Sequence, residues 1–163
     1  MSYSSSIKLA AAILGTAMVG LLATGAMAEV VVNGGITPQT LANSRFNDDA
    51  LVNHDRIKFQ TKDPTDVRMQ KLTFAAASRS GWHHHPGLLV VAVQSGTVTL
   101  SDRTCASKTY GPGLPNGAVF IEGDDDTVQA TSAAGAVAYV TIVVPRGAPS
   151  RVEDQVPFCA RSF

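Results

Sequence analysis

The chain has 163 residues, in which 13 Lys and Arg balance 13 Asp and Glu for a formal net charge of zero. Its longest acidic block is Asp124-Asp125-Asp126, so nothing steers it toward nucleic acid or an anionic membrane. There is no Gly-x-Ser-x-Gly elbow and no Gly-x4-Gly-Lys-Ser/Thr loop, which removes the usual supports for acyl-transfer and nucleotide chemistry.

Residues 1–28 read as a secretory signal peptide. Lys8 precedes a mostly apolar run from Leu9 to Ala23, and Ala26-Met27-Ala28 forms an A-x-A cleavage site. The run is broken by Gly15, Thr16 and Gly20 and is short for a bilayer span. Cleavage after Ala28 would start the mature chain at Glu29 and leave roughly 135 residues, one domain with a real core. Its destination would be the periplasm or the medium, with no membrane contact after cleavage.

Residues 29–54 are rich in Asn, Asp, Gly and Thr and are expected to form an irregular arm, with one helical turn after Thr37-Pro38. From there the period becomes two. Arg56, Lys58 and Gln60 alternate with Ile57, Phe59 and Thr61, the pattern of a half-exposed strand. After the Asp63-Pro64-Thr65 turn, Val67, Met69, Leu72 and Phe74 share a buried face only if a β-bulge falls near Gln70-Lys71.

Leu88 to Val93 is a continuous apolar run, and Val98 and Leu100 alternate with Thr97, Thr99 and Ser101 beyond Ser95-Gly96; together they read as a hairpin. Gly111 to Gly117 is loop, Ala118 to Ile121 a short strand, and Thr127 to Thr131 alternates again. Ala136 to Val144 is a long apolar strand stopped by Pro145, and residues 146–163 form an irregular tail containing Pro149 and Pro157. Many short strands without an amphipathic helix predict an all-β barrel or sandwich over residues 55–145.

The only cysteines, Cys105 and Cys159, are expected to pair if the chain is exported, tying the tail to the barrel. The closed loop is long, so the chain-entropy contribution is about 4 kcal/mol.

The chemistry concentrates in Gly81-Trp82-His83-His84-His85-Pro86-Gly87. Proline biases His85 toward extended geometry, so period two places His83 and His85 on one face and His84 on the other. Two neutral imidazoles on one face are half of a site for a divalent transition metal such as Zn, Fe, Mn or Ni, provided that face lines a cavity. Trp82 beside them is a candidate cavity wall. His54 lies too far along the chain to join without the arm folding inward, and the Asp124 to Asp126 turn reads as solvated rather than as a calcium site.

These residues resemble the first motif of the cupins, small jelly-roll barrels: His83-x-His85-Pro86-Gly87 leads through an apolar strand to Ser95-Gly96. The family's glutamate position then falls on Leu89. Gly117-Ala118-Val119-Phe120-Ile121-Glu122-Gly123 resembles the first half of the second motif, whose histidine falls on Val128. The resemblance implies a cupin-type barrel over about two-thirds of the mature chain, with Trp82, Leu89 and Val128 as cavity candidates and two of four ligand positions filled.

Three functions follow. The first is a secreted module binding a small molecule in the cavity, with at most a weakly held divalent transition metal. The second is a metal-dependent cupin enzyme, of dioxygenase or isomerase type, with His83, His85 and a third ligand elsewhere. The third is an interaction protein in which the histidines are incidental; a homodimer stays open in all three.

Overall fold

The computed structural model describes residues 34–161; the expected signal peptide lies outside them. In chain order the strands are β1 (Ile36–Phe46), β2 (Leu51–His54), β3 (Ile57–Gln60), β4 (Thr65–Phe74), β5 (Ser78–Arg79), β6 (His83–His84) and β7 (Leu88–Gly96). They continue as β8 (Val98–Asp102), β9 (Ser107–Tyr110), β10 (Val119–Gly123), β11 (Val128–Ser132), β12 (Ala136–Pro145) and β13 (Val152–Glu153), before a 3-10 turn, Phe158–Ala160.

Two antiparallel sheets carry the fold, one ordered β1-β4-β12-β7-β10 and the other β13-β6-β11-β8-β9, with β5 beside β11. From β7 onward the chain passes back and forth between them. Their inner faces meet in one core that joins Phe74, Leu89, Val91, Phe120, Val140 and Ile142 of the first sheet to Val98 and Ala130 of the second. The all-β, jelly-roll type of barrel expected from the sequence is the architecture found.

Several local expectations are corrected. Within the segment read as an arm, the part expected to hold a helical turn after Thr37-Pro38 is the eleven-residue edge strand β1, which pairs with β4 along its length. Its side chains are mostly exposed, so no apolar alternation marked it. The expected bulge is not in β4, which pairs with β12 without a shift. It lies across the ladder in β1, where Thr40 faces Gln70 and Ala42 faces Met69, leaving Leu41 as the extra residue. Met69 therefore stays on the outer face, 47% exposed. Ile57, expected to be buried, is 70% exposed because β2 and β3 form a separate two-stranded ribbon.

The hairpin read across Ser95-Gly96 does not exist as a pair. β7 pairs with β10 and β12, whereas β8 pairs with β9 and β11, so the chain changes sheets at Gly96-Thr97. Gly96 has φ +70°, and a Cβ there would strike the Gly135 carbonyl, so the crossover requires glycine.

Cys105, just beyond β8, is bonded to Cys159 in the 3-10 turn, with a Cα–Cα distance of 6.2 Å. The expected disulfide is present, and it fastens the tail to the six-stranded sheet. The tail is less irregular than expected, since β13 pairs with β6.

Candidate metal centre

A cavity of about 340 Å3 lies between the sheets, walled mainly by apolar side chains such as Leu72, Phe74, Leu89, Val91 and Ile142. His83, His85 and Glu122 also line it. All three are buried, and one ligand atom from each lies within 4.8 Å of the others.

Strand parity explains the imidazoles. His83 and His85 are 4% and 5% exposed and meet edge to face with ring centroids 4.7 Å apart. His84 faces the other way, its Nδ1–H donating to Asp154 Oδ1 at 2.9 Å. His83 Nδ1–H donates to the Gly81 carbonyl at 2.9 Å and His85 Nδ1–H to the Ser150 carbonyl at 2.5 Å. A carbonyl oxygen can only accept, so each Nδ1 carries a proton. In a ring that is neutral the lone pair is then on Nε2.

Both Nε2 atoms face one carboxylate: Glu122 Oε2 lies 2.9 Å from His85 Nε2 and 3.9 Å from His83 Nε2. Burial, with the Arg151 charge nearby, pushes His83 down to about 4 from its ordinary 6.5, so its ring is neutral at pH 7. His85 Nε2 is buried with no hydrogen-bond partner. The lone pair of His83 therefore points at a buried carboxylate with no proton on that ring nitrogen to bridge them. Such an array is costly unless a cation joins it. Metal–nitrogen and metal–oxygen bonds of about 2.0–2.2 Å would place ligand atoms roughly 3 to 3.5 Å apart, and the two contacts to Glu122 bracket that spacing. The residues fit a divalent transition metal.

Glu122 corrects the ligand count. Leu89, on which the motif spacing puts the family's glutamate, is buried in the cavity wall. Glu122 is its direct cross-strand partner in the β7–β10 ladder, and opposed residues share a face. The carboxylate thus reaches the same cavity from the neighbouring strand. Gly123 helps the close approach, because a Cβ there would strike the Gly87 carbonyl.

Trp82 and Val128 do not line this cavity. Trp82 is buried, with its carbonyl accepting from the Asp154 N–H at 2.9 Å. Val128 pairs with His83 and is buried, whereas Ala130, two residues on, is the β11 side chain that reaches the cavity. His54 sits in the β2–β3 ribbon and is not part of the cluster.

The chain matches no protein-family model and no curated protein. Among solved structures it is similar to an RmlC-like cupin from Shewanella frigidimarina, at 18% identity and TM-score 0.48, covering 71% of this chain and 82% of that one. That protein is a cupin by its own description. A Streptococcus pyogenes protein of unknown function is similar at 12% identity and TM-score 0.48, covering 70% of this chain and 78% of that one. A salicylate 1,2-dioxygenase from Pseudaminobacter salicylatoxidans is similar at 12% identity and TM-score 0.40, over 46% of this chain but only 20% of that one.

Proposed function

We propose that the protein is a metal-dependent enzyme in which His83, His85 and Glu122 hold one divalent transition metal at the polar end of an apolar cavity. The observation that carries this reading is the convergence of the two Nε2 atoms on a buried carboxylate, 2.9 and 3.9 Å away. Two histidines and one carboxylate leave coordination positions open, the arrangement of non-haem iron and of catalytic zinc sites. When bound, the metal would polarise or take up an oxygen donor.

The substrate class follows from the cavity. Leu72, Phe74, Leu89 and Ile142 suit an apolar body, and the open coordination positions suit one or two oxygens on a small molecule. His83 and His85 would act as neutral ligands oriented by Gly81 and Ser150. Catalysis of dioxygenase or isomerase type would use this set, with the open positions beside the three ligands taking a substrate oxygen. The disulfide supports an oxidising compartment, which agrees with export through the leader segment.

Elemental analysis of untagged protein purified without chelator tests the proposal. Near one equivalent of Fe, Mn, Ni or Zn is expected in the parent, and less than a tenth of that in Glu122→Ala. Equal and negligible metal in both would end the reading and favour the metal-free binding module.

A further inference from the structure

The end of the chain touches each of three consecutive histidines. The Ser150 carbonyl accepts from His85 Nδ1 at 2.5 Å, and Asp154 accepts from His84 Nδ1 at 2.9 Å. Glu153 of β13 pairs in the ladder with His83. Arg151 donates to the Ser80 carbonyl at 2.6 Å, and Asp154 also accepts from Thr127 at 2.9 Å. Ser150, Arg151 and Glu153 line the cavity as well.

The strap's own ladder is short. β13 is two residues long, and so short an edge strand opens easily. Its anchor is the bond between Cys159, five residues beyond Asp154, and Cys105 at the end of β8. Between the end of β12 and that bond the chain contains no other strand.

We propose that residues 150–154 are a positioning strap for the metal ligands, and that the Cys105–Cys159 bond sets the metal affinity of the site. The proposal rests on His83, His85 and Glu122 being the ligands. The Ser150 carbonyl holds the His85 tautomer that leaves Nε2 free, and the β13–β6 ladder holds the strand that carries His83. Partners of this kind typically change metal affinity 10- to 100-fold. The bond is also a redox handle, with Cys159 exposed. A dithiol reductant attacks one sulfur, breaks the bond through a mixed disulfide, and leaves Cys105 and Cys159 as thiols and itself as a disulfide.

The test uses untagged parent, the Cys105→Ser/Cys159→Ser double variant and Asp154→Ala, which keeps the disulfide. Zinc binding is measured by calorimetry, the cobalt-loaded visible spectrum is recorded, and amide hydrogen exchange is followed without metal. The double variant is expected to bind zinc 10- to 100-fold more weakly, with altered cobalt bands. Its exchange should quicken at residues 83–85 and 150–154 while β7 and β12 stay protected. Asp154→Ala should show the same pattern, roughly 3- to 10-fold in affinity. Zinc affinities within twofold of the parent and unchanged exchange would overturn the strap; if the double variant does not fold, the same result in Asp154→Ala does so alone. A parent that takes up no zinc overturns the metal centre itself, and this proposal with it.

Discussion

Replacing Glu122 by Gln should move stability in opposite directions with and without metal. In the metal-free protein the carboxylate lies 2.9 Å from His85 Nε2, which accepts when that ring is neutral. A glutamine amide can donate there, turning an unfavourable contact into a hydrogen bond with a net contribution of about 1 kcal/mol, and it removes a buried charge. The metal-free variant should therefore be more stable than the parent by about 1 to 2 kcal/mol.

With metal the sign reverses. Four-ligand structural zinc sites bind with about 10–16 kcal/mol, so one ligand accounts for about 3 kcal/mol, or roughly 100-fold in Kd. At free zinc 100 times the parent's Kd, linkage stabilises the parent by about 2.7 kcal/mol and the variant by about 0.4. For a domain of this size each kcal/mol moves Tm by about 3 to 5 °C. Zinc should raise Tm by roughly 10 °C in the parent and 1 to 2 °C in the variant. Calorimetric melts with and without zinc read both signs. A variant that is less stable than the parent without metal, yet equally protected by zinc, would refute the reasoning and point to a protonated His85 paired with Glu122.

The metal-free parent should lose stability as pH falls. His83 lies at about 4 when folded against an ordinary 6.5, so the unfolded chain binds the proton more readily, and about 3 kcal/mol disappears between pH 6.5 and pH 4. Urea denaturation at several pH values checks this, and a His83→Gln variant with the same pH slope would contradict it. His83→Ala and His85→Ala should each weaken zinc binding by more than about 100-fold, whereas His84→Ala, which loses only the contact to Asp154, should cost about threefold or less; equal losses in calorimetric titrations of all three would mean the parity is wrong. Gly123→Ala should destabilise the fold by about 2 kcal/mol or more, because its φ is +145° and the new Cβ meets the Gly87 carbonyl. It should also weaken zinc binding by displacing Glu122, and unchanged affinity in a folded variant would separate the glycine from the site.

The sequence by itself determined the class of fold and two of the three residues of the candidate site. Period-two alternation, proline and glycine turns and the absence of helical patterning are local signals, and they reported an all-β barrel. The parity of His83 and His85 is equally local, since three extended residues before a proline present only two faces. Having only two cysteines left a single pairing.

Glu122 was not legible for a physical reason. Val119, Phe120 and Ile121 are all apolar, so alternation could not say which face Glu122 shares; Val119 and Ile121 prove to be 55% and 64% exposed. What brings its carboxylate to the histidines is the register that sets Glu122 against Leu89, and registers between strands far apart in sequence are decided by packing. The change of sheet at Gly96, the bulge at Leu41 and the strap over the histidines have the same origin. Each depends on which strands become neighbours once the core forms, and only the tertiary structure decides that.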